Sequence, residues 1–312
     1  MNISSLSIVI PVYNEAASLA ELHAELSETL RDLNVLYEII FVDDGSTDNS
    51  MAQFKKLQMQ DPHVKWVKFR SRFGKSAALA AGFKMTKGSA VLTLDGDLQD
   101  NPSEIPRFLE RLQEGFDVVS GWKHKRKDPL SRRILSRIYN GVTAIMSGIK
   151  LHDFNCGMKA YRREVLQEIH LYGELHRYIP ILAAWRGFRI TEQRVIHRPR
   201  KYGKSKYGVS RLMSGCLDLF TVVFLTKFTK KPSHFFGTIG IFLTLSGFVI
   251  DCYILYLRLL HGNIQNRYPL LFLGVLLTIV GIQFFSTGLI AEMITFGQNK
   301  SDLEYSIHEQ SS

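Results

Sequence analysis

The strongest constraint on the fold is a regular alternation of short apolar runs, polar turns and helical apolar spacing through the first third of the chain. Leu6 to Val12 is an apolar run ended by Pro11, Tyr13 and Asn14, after which Leu19, Leu22, Leu26, Leu30 and Leu33 recur at intervals of three or four. That pattern reads as a strand, a turn and an amphipathic helix. The unit repeats with a strand at Tyr37 to Val42, a turn at Asp43 to Asp48, and a helix face of Met51, Phe54 and Leu57. A third strand spans Val64 to Phe69 and leads into a small-residue helix from Gly74 to Met85. A fourth covers Val91 to Leu94, followed by a proline-started helix at Pro102 to Leu112 and a fifth strand at Phe116 to Ser120. Strand and helix alternating at this interval predict an α/β domain with a mostly parallel sheet and helices on both faces. Ligands of such sheets bind at the carboxyl ends of the strands, where the polar turns of this chain fall.

The fourth strand delivers the most acidic turn, Asp95, Gly96, Asp97, Leu98, Gln99 and Asp100. Side chains alternate along an extended segment, which would point Asp95 and Asp97 the same way. Two carboxylates held together repel unless a cation lies between them, and hard oxygen ligands select Mg2+ or Mn2+. The plainer alternative is a solvated acidic turn. After the first strand the turn reads PVYNE, without the glycines of a dinucleotide fingerprint, which argues against a nicotinamide cofactor.

The formal net charge of +10 predicts an anionic partner: nucleic acid, an acidic membrane surface or a phosphorylated ligand. The end of the chain favours the last two, without nucleic acid. Phe235 to Leu257 carries one charge, Asp251, and Pro269 to Ala291 carries none, so each is long enough to cross a bilayer. Lys227, Lys230 and Lys231 precede the first span, and the link between the spans holds only Arg258 and Arg267 near its ends. The positive-inside bias then puts both termini in the cytoplasm. Asp251 is expected to face another helix or to sit shallow. The segment KHKRKDPLSRRILSR, Lys123 to Arg137, runs into a helix at about 130–149 whose Ile134, Leu135, Ile138, Val142, Ile145 and Met146 share a face. Basic residues beside an apolar stripe read as a helix on an anionic membrane surface. The three cysteines lack metal or disulfide spacing and suit a reducing compartment.

VIPVYNE (Val9 to Glu15), FVDDGSTD (Phe41 to Asp48) and LDGDLQD together resemble the signatures of the inverting family 2 glycosyltransferases, which have the GT-A fold. With the terminal hairpin, the order is similar to that of the polyisoprenyl-phosphate glycosyltransferases, over nearly the whole chain. Domains expected on this reading are a GT-A catalytic domain at 1–208, a juxtamembrane amphipathic helix at 209–233, two transmembrane helices at 234–296 and a polar tail at 297–312.

The resemblance implies an enzyme of the bacterial inner membrane with a cytoplasmic catalytic domain, moving sugar from a nucleotide sugar to a polyprenyl phosphate. It implies that Pro11, Tyr13, Glu15, Asp43 and Asp44 hold the nucleotide, and that Asp95, Asp97 and Gln99 hold the metal beside Gly96. From the residues, Asp43 to Ser46 could equally cap a helix. Lys75 is a candidate for a donor phosphate. HRPRKYGKSKYG (His197 to Gly208) is a basic loop that could close over a diphosphate, and the resemblance implies this for Arg200, Ser205 and Lys206. Asp153, in DFNCGMKAYRREV, is the candidate base or acceptor-orienting group. Arg132, Arg133, Arg137 and Arg177 are candidates for the acceptor phosphate.

A processive polysaccharide synthase would add a Q-x-x-R-W signature and further spans, and a phosphatase of the D-x-D-x-T kind would want threonine at Gln99. An inactive scaffold would not need Asp95, Asp97 and Asp153. Two lone helices bury little, so homo-oligomerisation through the hairpin is expected, with a flippase and a second glycosyltransferase as downstream partners.

Overall fold

A computed structural model describes residues 3–124, 130–169, 171, 173–199, 201, 202, 221, 222, 224, 228, 231–264 and 266–298, and of 130–135 and 296–298 it describes the backbone alone. Arg200, Ser205, Lys206 and the side chains of Arg132 and Arg133 therefore lie outside the described residues, as do nearly all of the expected juxtamembrane helix and tail. The chain divides into two compact units, Met1–Val222 and Val223–Ser312.

The first unit is built on β1 (Ser5–Val12), β2 (Leu36–Asp43), β3 (Val64–Lys68), β4 (Ala90–Thr93), β5 (Val118–Lys123), β6 (Lys159–Arg162) and β7 (Ile190–Val195). Their spatial order is β3-β2-β1-β4-β6-β5-β7. β6 alone runs against its neighbours, antiparallel to both β4 and β5, and every other pair is parallel. Val12 lies beside Asp43 and Val9 beside Thr93, so the turns after β1, β2 and β4 leave the same edge of the sheet.

Alternation within the strands sorts the core. Ile8, Ile10, Ile39, Phe41 and Leu92 share one face. Helix α1 (Ala16–Arg31) covers it with Leu19, Leu22 and Leu26, α2 (Ser50–Gln60) with Phe54 and Leu57, and α4 (Ile105–Gln113) with Phe108 and Leu112. Val9, Ile40, Val42 and Val91 take the other face, under Ala78 and Leu79 of α3 (Lys75–Met85) and Leu166 of α6 (Arg163–Glu168). Ile179 and Ala183 of α7 (Ile179–Trp185) cover Val118 and Tyr161. Phe54 and Phe108 are fully buried, so truncating either to alanine would cost about 3–5 kcal/mol.

The predicted strands are present with small shifts, except that β5 starts two residues later than the pattern suggested and runs on to Lys123. Pro102 opens a single 3-10 turn, Pro102–Glu104, before α4 begins. β6 and β7 carry no apolar run. KAYR is short and flanked by charge, and ITEQRV is mostly half-exposed, so hydrophobic patterning does not announce either.

Helix α5 (Leu130–Ser147) meets the expectation of a helix at about 130–149. Its Tyr139, Asn140 and Thr143 are buried, while Ile138, Val142 and Ile145 are exposed. Asn140 fixes the buried side by donating Nδ2–H to the His152 carbonyl at 2.9 Å. Ile138, Val142 and Ile145 of the apolar stripe thus face away from their own domain.

The second unit is an antiparallel pair, Pro232–His261 and Tyr268–Gln298, both longer than the predicted spans and both apolar enough to cross a membrane. Pro232 starts the first helix, and Gly262 ends it at φ 71°. Glycines set the helix contact: a Cβ on Gly240 would lie 2.7 Å from the Gly281 carbonyl, and one on Gly247 2.5 Å from that of Gly274. Asp251 turns Oδ1 toward Gly274 on the facing helix, in keeping with the expectation that it does not face lipid. Glu292 closes the other end by accepting a hydrogen bond from the Ser233 N–H at 3.0 Å.

Candidate active site at the carboxyl ends of the strands

The turns after β1 and β2 are tied to each other. Asn14, at φ 54°, accepts from the Thr47 N–H at 2.8 Å, and its own N–H donates to Ser46 Oγ at 2.9 Å. Asp48 accepts from the Ala16 N–H at 3.0 Å. Asp43 is fully buried and accepts from the Ser46 N–H at 2.7 Å, with Lys68 Nζ 3.8 Å from its second oxygen. Asp44 accepts from the N–H groups of Phe73 at 2.7 Å and Gly74 at 3.0 Å, which fixes the entry to α3. Neither aspartate caps α2, the alternative their spacing allowed; Asp48 takes the Ser50 N–H there, at 3.0 Å. Tyr13 presents its ring to the Arg72 guanidinium, 4.3 Å from the centroid, and Arg72 Nε lies 3.9 Å from Asp44. Pro11 and Glu15 flank the same turn.

The acidic turn after β4 differs from its prediction in one respect. β4 ends at Thr93, and Gly96 and Asp97 form a tight turn, so strand alternation does not orient Asp95 and Asp97. Leu98, buried in the core at φ 62°, redirects the chain just after the two aspartates, in a backbone region that costs a non-glycine residue about 1–2 kcal/mol. Ser18 Oγ holds the turn by donating to the Gly96 carbonyl at 2.5 Å. Gly157 is required beneath it, since a Cβ there would lie 2.4 Å from Asp95 Oδ2.

Asp95 is paired with the Lys75 ammonium at the first residue of α3. Burial alone would raise the Asp95 carboxyl, but Lys75 overrides it and holds it down at about 2. Asp97 is buried and accepts from the Gln99 N–H at 3.2 Å. The segment after β7 pairs with this turn: Asp100 bridges to His197, and the Arg198 N–H donates to the Gln99 carbonyl at 3.0 Å. Arg198 itself does not face the turn. Its guanidinium binds Glu25 at 2.7 Å and Asn101 at 2.8 Å, so it anchors the start of the basic loop.

On the β6 side lie groups that the sequence did not single out. Lys123, at the end of β5, is 3.3 Å from the buried Asp100. Burial would lower it, but Asp100 dominates and keeps it charged. Lys159, the first residue of β6, is buried and donates to the Cys156 carbonyl; burial lowers it to about 8. Asp153 is buried near both lysines and accepts from the Asn155 N–H at 3.0 Å. Burial pushes the Cys156 thiol up to about 12, so it is inert. His176 pairs with Ser76 at 2.9 Å, and burial with the nearby Lys75 keeps its ring neutral.

Arg177 lines the small cavity beside Lys75, Lys159 and His176 and binds Glu174 at 2.9 Å. Arg137, expected to share its role, is exposed on α5 and has no part in that cavity. A cleft of about 730 Å3 lies at the opposite end of the strands, lined by Ser4, His23, Leu36, Asp61 and His63 among others, and holds none of the predicted site residues.

These turns, with a D-x-D motif at the end of the central strand of a mostly parallel mixed sheet, define a nucleotide-sugar glycosyltransferase of GT-A type. Residues 7–170 match the model of glycosyl transferase family 2, and the chain belongs to that family. It is 36% identical over 294 residues to the dodecaprenyl-phosphate galacturonate synthase of Rhizobium johnstonii, covering 93% of this chain and 87% of that protein. It is 37% identical over 303 residues to the undecaprenyl-phosphate 4-deoxy-4-formamido-L-arabinose transferase of Pseudomonas paraeruginosa, covering 96% and 87%. Its fold is similar to the crystal structure of glucosyl-3-phosphoglycerate synthase from Mycobacterium tuberculosis in complex with Mn2+ and UDP-glucose, with a TM-score of 0.54, 19% identity and coverage of 72% and 79%.

Proposed function

We propose that the protein transfers a glycosyl group, with inversion, from a nucleotide sugar of the UDP-glucose or GDP-mannose type to a polyprenyl phosphate such as undecaprenyl phosphate. The observation that carries this reading is the acidic turn Asp95 to Gln99, held beside the crosslinked turns of β1 and β2 in a chain that ends in an apolar helical pair. The two relatives support the acceptor class by what their names say they act on.

A divalent cation, Mg2+ or Mn2+, fits this turn. Asp95 already holds a cation, the Lys75 ammonium, and Asp97 is a second buried carboxylate two residues on. No group of three or more His, Cys, Asp or Glu that could hold a metal occurs among the described residues, so substrate phosphates or water would have to complete the ion's coordination. Asp95 and Asp97 would be its ligands, with the Gln99 side-chain oxygen on the same turn. When bound, the ion neutralises charge on the leaving nucleoside diphosphate.

The chain's own groups then have separable roles. Pro11, Tyr13, Glu15, Asp43 and Asp44 form the nucleotide side, and Lys75 with Arg200, Ser205 and Lys206 takes the diphosphate. Asp153 orients the acceptor between Lys123 and Lys159, and Arg177 and the arginines of α5, Arg132, Arg133 and Arg137, attract its phosphate. A phosphate monoester is largely an oxyanion at pH 7, so attack needs little base. Its oxygen forms the new bond to the anomeric carbon as the bond from that carbon to the diphosphate breaks on the opposite face. Alignment and charge neutralisation supply the rate.

We place the catalytic unit on the cytoplasmic face of a bacterial inner membrane, with α5 at the lipid surface through Ile138, Val142 and Ile145 and both termini inside. Self-association through the hairpin, and delivery of product to a flippase and a second glycosyltransferase, belong to the same reading.

The test incubates purified full-length protein with undecaprenyl phosphate, Mn2+ or Mg2+ and a panel of labelled UDP- and GDP-sugars, scoring label in the organic phase. Transfer from one donor, abolished in Asp97→Ala, is expected. No transfer from any donor, with nucleotide still bound, would overturn the acceptor assignment.

A further inference from the structure

We propose that Lys75 is a resident stand-in for the metal, so that the protein without nucleotide binds a divalent cation poorly and gains it together with a nucleoside diphosphate. This rests on the metal role proposed above for Asp95. The Lys75 ammonium bonds to Oδ1 of Asp95, with both side chains about one third exposed, 31% and 32%. A lysine ammonium and a divalent ion gathered on the same carboxylate lie close together and repel, so each weakens the other's hold on Asp95. The surroundings add to the repulsion. Lys159 and Arg177 line the cavity that Lys75 lines, and a dication entering alone meets that positive field.

Lys75 is also tied to the nucleotide side through the backbone. Gly74, the residue before it, sits at φ 93° and is held through its N–H by both oxygens of Asp44, each at 3.0 Å. Arg72 connects Asp44 to the Tyr13 ring. The pivot is fixed while the side chain, being partly exposed, can change partners. A diphosphate beside Asp95 offers the ammonium a second anionic partner, which releases the carboxylate. Metal and diphosphate then favour each other, by the same factor in each direction.

The test measures Mn2+ binding to the full-length protein in detergent by electron paramagnetic resonance, without and with UDP, corrected for Mn2+ held by UDP in solution. Wild type is expected to bind Mn2+ weakly alone and more tightly with UDP. Lys75→Met should bind Mn2+ alone roughly tenfold more tightly and lose most of the UDP-dependent gain. Lys75→Arg, which keeps a cation beside Asp95, should stay weak without UDP, and its unchanged melting temperature would exclude a folding defect. Lys75→Met binding Mn2+ alone at wild-type strength or weaker would overturn the proposal while leaving the metal site standing. Absence of Mn2+ binding in wild type and in both variants, with UDP present, would overturn the metal reading and this proposal with it.

Discussion

Two sets of carboxylates sit at the same edge of one sheet and are used in opposite ways. Beside β1 and β2, Asp43, Asp44 and Asp48 are held mainly by backbone N–H groups, those of Ser46, Phe73, Gly74, Ala16 and Ser50, with Lys68 and Arg72 only at 3.8 and 3.9 Å from Asp43 and Asp44. Beside β4 and β6, Asp95 and Asp100 are paired mainly with lysine ammonium groups, Lys75 and Lys123. A backbone partner cannot leave without unfolding the loop, whereas a lysine can exchange its carboxylate for a phosphate. One end of the candidate site is therefore scaffold built from acid, and at the other the acids pair with charged side chains. The distinction follows from what each acid touches, since the residue types are identical.

The comparison is broken or sharpened most strongly at Asp97. Asp97→Asn should lower transfer by roughly 10^2–10^3-fold, as loss of a charge-stabilising group does elsewhere, with little change in melting temperature. Asp44→Ala should show the converse balance. It orphans the Phe73 and Gly74 N–H groups and should cost about 2–3 kcal/mol in denaturant unfolding, with activity falling in step. If Asp44→Ala unfolds like wild type, the scaffold half of the contrast is wrong.

Lys159 gives a third, smaller test with opposite signs for stability and activity. It titrates at about 8 in the folded chain, against the usual lysine value of 10.5. Below about 8 the fold bears the whole penalty of a buried ammonium; between about 8 and 10.5 the unfolded chain binds more protons, so the penalty fades as pH rises. Lys159→Met should accordingly raise the melting temperature at pH 7 by about 2–6 °C while reducing transfer. That stability gain should shrink as the pH is taken from 8 toward 10. The smallest effect belongs to α5: Ile145→Asp should raise KM for polyprenyl phosphate about two- to fivefold and leave KM for the nucleotide sugar unchanged. Equal shifts in both would argue that the exposed stripe packs on protein.

Much of the fold was legible because the parallel half of the sheet is buried on both faces, which forces apolar runs such as Ile8 to Ile10 and Ile39 to Val42. The acidic turn was legible as a pair of carboxylates, but not for the reason alternation suggests. A tight turn at Gly96 and Asp97 ends the alternation, with Leu98 left-handed just after it, and nothing in leucine's chemistry signals that. Lys123, Lys159 and His176 were not legible at all. Lys159 reaches the site because β6, four residues with no hydrophobic signature, inserts antiparallel between β4 and β5, and His176 reaches it through a short turn bonded to Ser76. Arg198 reads in the sequence as one more charge of the basic loop, and only its contact with Glu25 shows it to be an anchor.

The glycine contacts of the hairpin bear on how its two helices could move. Gly240 against Gly281 and Gly247 against Gly274 repeat at one heptad in both helices. Gly240 packs between the Gly281 carbonyl and the Phe285 backbone, and sliding one helix by a turn, about 5.4 Å, toward Leu277 would put a side chain where Gly281 leaves room. The two helices are therefore locked in register against each other, with no piston stroke between them.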